Sequence, residues 1–478
     1  MPVLASRRNQ SFLLPVDVDD WVALDHPARF VWAYVQELDL ASLGIQDMPS
    51  HLGRPSYPAR ELLAIWIYGF MVRTRSSRGL ERACRESLPF MWLSGILQPD
   101  HVTIWHFRDE NWDRMKGLFG HTVRTAVDVG MVDFAVQSVD GSKIAVASQG
   151  KLRRRKHLTK LLAQVEQEVA EMDEQERKGD PGEDSGKRRR ARAHKVNMRE
   201  RVRAALAQVE AAAQTSKSKR EPVALVSDPE ARFMKTRHGI EPAYNAQIVV
   251  DGKAQIIVTA DVTQDNTDSG QLLPLLEQEQ ECLGQTAEKT LADNGYYSVA
   301  NLEQASEHTD LYAPDKTYET NLKKAPDYHI SKFTYRPDQD SYLCPEGKEL
   351  LFVRNTGING RRNQSRRGRQ YHCRECADCL VRAKCTEAKT GRWVTRTDDL
   401  ALQEAHRAKM ATEEGRELIK LRPHMVESVF GAIKEQQGGR RFLTRGLAKV
   451  TQEWYLLCAA FNMRKLCKNW QNTLSAAA

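Results

Sequence analysis

Apolar residues recur every three or four positions through the first 130 residues, in segments that Gly, Pro and Ser separate. This spacing is typical of amphipathic α-helices, so we predict a helical N-terminal domain over residues 1–130. Residues 78–87 and 100–110 would form a helix-turn-helix pair that binds DNA, with Asp100 as the N-cap of the second helix. A helical bundle without a DNA contact explains the same spacing, and the pattern leaves both interpretations open.

A second helical pattern occupies a polar, charge-rich segment at 151–222. The sequence GDPGEDSG at 179–186 interrupts this pattern, so two antiparallel helices are predicted on either side of it. We interpret the segment as an exposed helical-hairpin insertion with basic flanks.

The segments 131–150 and 223–315 contain an apolar, β-rich run at 132–147 and, from residue 241, an apolar period of two, as in β-strands. These segments predict an α/β domain. It would begin with a strand at 132–147 and a β-hairpin of 243–251 and 254–263, followed by a helix at 268–283 that Asp268 caps. A strand at 289–293, a helix at 299–308 and a strand at 310–314 would complete it. A Cys-rich segment at 316–415 follows. Two helices within 416–478, at about 423–436 and 447–469, close the chain.

Three acidic residues lie where these elements would bring them to one edge of the sheet. Asp140 lies within the first strand, Asp293 ends a later strand, and Glu427 lies on a helix whose apolar stripe could dock on the sheet. Carboxylates are hard ligands that suit Mg²⁺ or Mn²⁺, and two such ions would support phosphoryl transfer.

A simpler interpretation of the same acidic residues stays open. Asp140 precedes Gly and Asp293 precedes Asn-Gly, so each could be a turn residue, and Glu427 could be one more exposed helix acid. Rival carboxylates also lie close to strand ends, at Asp251, Asp261, Asp265 and Asp268.

The charge of the chain favours a polyanionic partner. The formal net charge is +8, and basic blocks occur at 151–156, 187–195, 361–369 and 439–445. One such block is usually a solvated face, but four together favour nucleic acid. Lys235, Arg237 and His238 could contact phosphate close to the carboxylates, although a simple connecting loop explains them equally well.

A proline helps to place a further cation. Pro423 suits the first turn of a helix, so Arg422 is expected beside the helix N-terminus, where phosphate is favoured.

Five of the nine cysteines fall between residues 344 and 385. They are Cys344, Cys373, Cys376, Cys379 and Cys385. Their Cys-x2-Cys spacing suits tetrahedral zinc, which takes four ligands, so one thiol would be spare; reduced thiols without metal are the alternative. Cys84, Cys282, Cys458 and Cys467 lie in helical patterns and are predicted to be core residues.

No signal peptide is apparent, and the longest apolar run, at 62–71, is too short to cross a bilayer. We therefore expect a soluble, intracellular protein without a membrane partner.

Four motifs, in this order, resemble bacterial insertion-sequence transposases of the DDE class. They are SVDGSKIAVA at 138–147, DPEARFMKTRHGIEPAYNAQIVVD at 228–251, ADNGYYS at 292–298 and VESVFGAIK at 426–434. The resemblance extends from about residue 15 to about residue 470. It implies an α/β fold with an RNase H-like mixed five-stranded sheet and flanking helices, joined to a helix-turn-helix-like N-terminal domain, a helical-hairpin insertion and a small zinc-ribbon-like Cys-rich insertion.

The resemblance also implies roles for individual residues. Asp140, Asp293 and Glu427 would bind two Mg²⁺ or Mn²⁺ ions, and Arg422 and Lys434 would contact DNA beside the glutamate. A structural Zn²⁺ would be held in the Cys-rich insertion. A tyrosine often found three residues before that arginine is Ile419 here, which leaves one detail of the contact with terminal DNA open.

The implied function is metal-dependent cleavage of double-stranded DNA at the ends of an insertion sequence, followed by transfer of the 3′-OH into target DNA. The implied setting is the bacterial cytoplasm, at the nucleoid when bound to DNA, as a homodimer or higher oligomer. Two alternatives stay open: an RNase H-like nuclease that does not join strands, and a catalytically silent DNA-binding descendant of a transposase.

Overall fold

The computed structural model describes residues 17–47, 56–147, 152–177, 185–215, 221–359, 365–376 and 378–477. Most of the predicted helix break at 179–186 and the first four residues of the basic block at 361–369 lie outside this part of the chain, as does Lys151 of the first basic block.

The α-helices of the described part, in chain order, are α1 Pro27–Glu37, α2 Ala59–Met71, α3 Ser77–Glu86, α4 Leu88–Leu93, α5 His101–Asn111, α6 Met115–Asp128, α7 Arg155–Arg177, α8 Ser185–Thr215, α9 Leu272–Leu283, α10 Val299–Ala305, α11 Lys316–Lys324, α12 Arg382–Cys385, α13 Asp398–Met410, α14 Glu413–Glu435 and α15 Leu447–Ala477.

The strands of the same part are β1 Val136–Ala145, β2 Leu152–Arg154, β3 Val223–Leu225, β4 Arg232–Thr236, β5 Gly239–Asp251, β6 Ile257–Thr263, β7 Lys289–Leu291, β8 Asp310–Tyr312, β9 Thr334–Arg336, β10 Ser341–Leu343, β11 Glu349–Asn359, β12 Ser365–His372 and β13 Trp393–Thr397.

A mixed sheet lies at the centre of the α/β fold. Its order is β4-β5-β1-β7-β8, with β6 also paired to β5. Strand β1 runs antiparallel to β5 and parallel to β7, and β7 runs parallel to β8. The described sheet has six strands rather than the five expected, because residues just before the predicted hairpin form β4 and extend β5 toward its N-terminus.

Helix α15 joins the N-terminal helices to this sheet. A continuous buried run from Trp454 to Phe461 packs against α2, α6 and β6. Asn462 donates to the carbonyl of Ile257 at 2.9 Å and accepts from its N–H at 3.0 Å, which fastens the helix to β6. The N-terminal helices and the sheet therefore share one hydrophobic core.

The helical hairpin forms as predicted. Helices α7 and α8 pack around a small core of their own, and the short antiparallel pair β2 and β3 lies at its base. Ion pairs of Lys195 with Glu168 and of Arg192 with Asp173 bind the two helices antiparallel to each other.

The predicted helix-turn-helix pair corresponds to α3 and α5, with the short helix α4 between them. Asp100 caps α5 as predicted, because its carboxylate accepts from the N–H of Thr103 at 2.7 Å. Arg108 packs over the rings of Trp66 and Trp112, so part of the predicted DNA-facing surface of α5 is used for packing.

The Cys-rich segment contains a separate antiparallel sheet of order β13-β12-β11-β10-β9. Its core is small and aromatic, and includes Phe333, Tyr342 and Tyr371 together with Cys373 and Cys376. No helix in the described part of the chain is both long and apolar enough to cross a membrane.

Three local predictions were wrong. Helix α14 begins at Glu413, ten residues before Pro423, so Pro423 lies inside the helix and Arg422 is not beside its N-terminus. Asp268 does not cap α9, which begins at Leu272, because its carboxylate is bound by side chains of the central sheet. Cys282 is exposed on α9, whereas Cys84, Cys458 and Cys467 are buried as predicted.

A buried ion pair provides a test of how the N-terminal helices are attached. Glu453 on α15 bonds to Arg75 at 3.1 Å, and both side chains are almost fully buried. We expect Glu453→Ala to lower the free energy of unfolding by about 3–5 kcal/mol. Arg75 would lose its buried counterion and keep only its bonds to the carbonyls of Gly438 and Arg441, and the N–H groups of Leu443 and Thr444 would lose their acceptor. Urea unfolding followed by circular dichroism measures the loss.

The matched control is Glu417→Ala, which removes an ion pair with Lys420 in which both side chains are about two-thirds exposed or more. An exposed pair contributes at most about 1 kcal/mol. Equal losses for the two variants would contradict the proposed importance of the buried pair.

Candidate active site

The register of the central sheet places the two predicted aspartates side by side. In the parallel pair of β1 and β7, Ser138 lies opposite Leu291. Asp140 and Asp293 each follow two residues later, where β7 has ended and β1 continues. Ligands bind beyond the carboxyl ends of parallel strands in α/β sheets, so this edge is the place where a functional site is expected.

Asp140 is a largely buried carboxylate with a cation beside it. Its Oδ1 accepts from the N–H of Gly141 at 2.9 Å and lies 2.9 Å from a guanidinium nitrogen of Arg422. Burial raises the pKa of Asp140 to about 6, and the nearby Asp293 and Asp268 carboxylates add to the rise, whereas Arg422 and the Gly141 N–H lower it. Asp140 is therefore held as a carboxylate at neutral pH at a cost in stability.

Asp293 is held by the turn that follows it. Its Oδ1 accepts from the N–H of Gly295 at 2.7 Å, and the next residue, Tyr296, is fully buried and donates its hydroxyl to Gln247 on β5. Asp293 is thus a turn residue, as the simpler interpretation expected. The same turn fixes the carboxylate at the sheet edge, so the two interpretations do not exclude each other.

The glycines after the two aspartates are required by close packing. A Cβ atom at Gly141 would lie 2.3 Å from the Gln247 amide nitrogen and 2.7 Å from Asp268, and one at Gly295 would lie 2.8 Å from Asp293. Gly141 therefore lies inside β1 and not in a turn, and the Asp-Gly sequence there reflects crowding at the site.

Asp268 is a third carboxylate beside the pair. Its Oδ1 accepts from Lys143 at 2.8 Å, from Asn245 at 2.7 Å and from Gln247 at 2.9 Å. Burial acts to raise the pKa of Asp268, but these donors outweigh it and hold the pKa below its ordinary value. Among the four rival carboxylates, Asp268 is the one whose charge acts on Asp140.

The other rivals are bound elsewhere. Asp251 accepts from the N–H groups of Phe134 and Lys253 at the far end of β1. Asp265 is exposed and accepts from Gln271, and the Asp261 side chain lies on β6.

Helix α14 brings two cations to the site, but its glutamate faces solvent. Lys434 donates to the hydroxyl of Ser142 at 2.5 Å, two residues beyond Asp140 on β1. Burial lowers the pKa of Lys434, and the Arg237 guanidinium lowers it further. Glu427 is exposed and forms no hydrogen bond or ion pair with another described residue. The structure thus brings Asp140, Asp293, Arg422 and Lys434 together, whereas the Glu427 side chain is exposed on α14 between Arg422 and Lys434.

The remaining predicted cations lie near the end of β4, at Lys235, and on the tight connection from β4 to β5, at Arg237 and His238. Lys235, Arg237 and His238 are all exposed. The charge of Arg237 acts on both Lys434 and Glu435, so this connection lies beside the C-terminal part of α14.

A cavity of about 530 Å³, which no sequence pattern predicted, lies next to the Asp293 turn. Asn294 accepts from the N–H of Lys316 at 2.9 Å, which joins that turn to α11 on the cavity wall. The lining includes Tyr318, Arg407 and Ile419. The position of the missing family tyrosine therefore faces a cavity that aromatic and basic side chains line.

The chemistry of the donors fits a divalent ion in part. Asp140 and Asp293 offer hard oxygen atoms at one place, which suits Mg²⁺ or Mn²⁺. Among the residues that the structure describes, no group of three or more His, Cys, Asp or Glu side chains is arranged to hold a metal ion.

The five predicted zinc cysteines line one cavity of about 20 Å³ in the Cys-rich segment. Cys344 accepts from the N–H of Lys348 at 3.3 Å, and Cys376 accepts from the N–H of Arg392 at 3.4 Å. Burial and the neighbouring Cys376 raise the pKa of Cys373 to about 12. Five thiols thus line the same cavity although the first and the last are 41 positions apart in the chain.

Fold and site together define an α/β protein with paired carboxylates at the edge of a mixed sheet. A model of the family described as "Transposase DDE domain" matches residues 343–467, and one described as "Transposase domain (DUF772)" matches residues 16–110. Both matches are to transposase families, and they support the resemblance to insertion-sequence transposases of the DDE class. No curated protein matches the chain.

The matched segments include the N-terminal helices, most of the Cys-rich segment, and α14 with Glu427. Asp140 and Asp293 lie between the two matches. Their assignment therefore depends on the geometry of the sheet and on the sequence motifs.

The raised pKa of Asp140 predicts a stability change with a definite sign. The folded state binds the proton of Asp140 more tightly than the unfolded state, so ionisation destabilises the fold as pH rises from about 4 to about 6. We expect Asp140→Asn to raise the free energy of unfolding by roughly 2–3 kcal/mol at pH 8, with little effect below pH 4. Melting temperatures at a series of pH values measure this.

Asp268→Asn is the matched comparison with the opposite sign. The lowered pKa of Asp268 stabilises the fold above its unfolded pKa, and that stabilisation is lost as pH falls. We expect this variant to melt at a lower temperature than wild type at pH 8. If Asp140→Asn melts at a lower temperature than wild type at pH 8, burial is not the dominant effect on the free energy of ionising Asp140.

Proposed function

We propose that the chain is a DNA transposase that cleaves at the ends of an insertion sequence and transfers the resulting 3′-OH into target DNA. The observation that carries the proposal is the adjacency of Asp140 and Asp293 at the end of a parallel strand pair. The transposase family matches support the same role.

The proposal includes an RNase H-like catalytic core. A central strand that pairs antiparallel with a long hairpin strand on one side and parallel with two short strands on the other supports this fold. We also retain the domain division given above, in which α7 and α8 are an insertion and the last two helices return to the core.

Asp140, Asp293 and Glu427 are proposed to hold two Mg²⁺ or Mn²⁺ ions. Such ions would activate the attacking oxygen and stabilise the leaving oxygen of the phosphodiester. Glu427 is exposed and without a partner in the described part of the chain, so its carboxylate is available to a ligand that enters with DNA.

DNA phosphates are proposed to bind the cations around this edge. Arg422 bonds to Asp140, and Lys434 bonds to Ser142 two residues further along β1. The exposed side chains of Lys235, Arg237 and His238, at the end of β4 and on its connection to β5, extend the basic surface. In this structure Arg422 and Asp140 bond to each other. When DNA and metal bind, the phosphate would bind Arg422 and the metal ion would bind Asp140. The N-terminal helices are proposed to bind the element ends, in a homodimer or higher oligomer in the bacterial cytoplasm.

The experiment uses linear DNA that carries the genomic flanks of the gene, with Mg²⁺ or Mn²⁺, and resolves cut and joined strands on a denaturing gel. We expect wild type to cut and join, and Asp293→Asn to lose both by roughly a hundredfold or more, because a metal ligand is lost. Asp265→Asn is the matched control, since the Asp265 side chain is exposed and accepts a hydrogen bond from Gln271, and the variant should act as wild type.

The products separate the alternatives. Cutting without joining would indicate a nuclease, and binding of the flanks without cutting would indicate a DNA-binding descendant of a transposase. Equal activity of Asp293→Asn and wild type would remove Asp293 from the site.

A structural zinc ion in the Cys-rich segment is proposed as well. Five thiols around one small cavity and N–H bonds to two of the sulfur atoms support it. We expect about one zinc per chain by elemental mass spectrometry of the purified protein, and loss of that zinc in Cys373→Ser because a ligand is removed.

Cys282→Ser is the control, because Cys282 is exposed on α9, outside the Cys-rich segment. This substitution should leave the zinc content unchanged. Absence of zinc from wild type purified without chelator would contradict the zinc proposal and leave the reduced-thiol alternative.

A further inference from the structure

Asp268 lies at the centre of a hydrogen-bond network that reaches both aspartates of the candidate active site. Its carboxylate binds Lys143 on β1 and both Asn245 and Gln247 on β5. Lys143 lies three residues after Asp140 on the same strand. Asp268 therefore joins the loop before α9 to the two strands that form this edge of the sheet.

The network continues from Gln247 to the turn that holds Asp293. Tyr296 donates its hydroxyl to the Gln247 side chain, and its own carbonyl accepts from Asn301 at 2.5 Å. Asn301 also donates to the carbonyl of Ser269, next to Asp268. The chain of bonds thus closes into a ring that passes through Tyr296, the residue that follows the Asp293–Gly295 bond.

The bonding pattern argues against Asp268 as a metal ligand. Its Oδ1 accepts three hydrogen bonds, and its Oδ2 accepts a further bond from Lys143 at 3.1 Å. A carboxylate has about four lone-pair directions, so little acceptor capacity is left for an ion. The Lys143 ammonium also repels a cation from this carboxylate.

The packing around Asp268 couples it to the aspartates. Gly141, which follows Asp140, has no room for a Cβ atom because Gln247 and Asp268 lie against it, and the space at Gly295 is bounded by Asp293 and Asp268. Asp268 therefore packs beside the backbone next to each site carboxylate, and Gln247 packs beside the backbone next to Asp140.

We propose that Asp268 is a positioning residue, which acts through Gln247 and Tyr296 to hold Asp140 and Asp293 at the separation that a divalent ion requires. The inference rests on the proposed metal-dependent function, and it concerns how the site is held rather than which reaction it performs. Outer residues that orient metal ligands typically change metal affinity by about ten- to a hundredfold when they are replaced.

The test measures Mn²⁺ binding to the full-length protein without DNA, by the electron paramagnetic resonance signal of free Mn²⁺. Tyr296→Phe removes one hydroxyl and no charge, and it should weaken the Asp293-dependent binding of Mn²⁺ by about tenfold. Asp268→Asn should weaken it by at least as much. Tyr296→Phe keeps the ring in the core, so the test does not depend on whether Asp268→Asn folds.

Tyr244→Phe is the matched control for a purely structural effect. Tyr244 is as buried as Tyr296, and its hydroxyl donates to Asp228 at 2.8 Å instead of to the network. The Tyr244→Phe substitution should lower the melting temperature without changing the affinity of the protein for Mn²⁺. If Tyr296→Phe and Asp268→Asn bind Mn²⁺ as wild type does, the positioning role is refuted.

Failure of the proposed function gives a different result. In that case wild type and Asp293→Asn would bind Mn²⁺ equally, and the positioning role would fall with the metal site. Loss of binding in Asp293→Asn with unchanged binding in Tyr296→Phe and Asp268→Asn would overturn the positioning role alone.

Discussion

The parallel pairing of β1 with β7 is the constraint on which the candidate site depends. Ser138 lies opposite Leu291, and this register alone brings Asp140 next to Asp293 although 152 residues separate them in the chain. Because side chains alternate along a strand, a slip of one residue would turn Asp140 to the other face of the sheet. The long β5, paired with β1 over nine residues, supports that register from the other side.

Burial of charged carboxylates at this edge of the sheet destabilises the fold, and nearby basic side chains offset part of that cost. Arg422 bonds to Asp140 and Lys143 bonds to Asp268, so each buried carboxylate has a basic partner from a different element. The partners do not fully compensate at Asp140, whose pKa is raised to about 6. Proteins commonly keep such unfavourable charges where function requires them. Arg422 thus offsets part of the cost of burying Asp140, and it is also one of the groups that we propose to bind a DNA phosphate.

The two C-terminal helices have different structural roles. Helix α15 is buried between the N-terminal helices and the sheet, and the buried pair of Arg75 with Glu453 adds a charged link between these parts. Helix α14 lies along the site and exposes Glu427. Helix α15 packs the N-terminal helices against the sheet, and Glu427 on α14 is exposed. This arrangement is compatible with DNA that contacts both regions at once. The Cys-rich segment has its own small core, and its thiols meet around one cavity.

The sequence by itself determined the helices, the β-hairpin, the Asp100 cap and the motifs that led to the family, because each depends on residues a few positions apart. Only the tertiary structure decided which carboxylates meet. Asp268 was predicted as a helix cap and instead joins three elements, Pro423 lies within a helix, Cys282 is exposed, and a sixth strand extends the sheet. Local sequence pattern does not predict these features, because the residues that contact one another are distant in the chain. Tertiary packing also overrides the local preference of residues such as Asp and Pro for turns and helix starts.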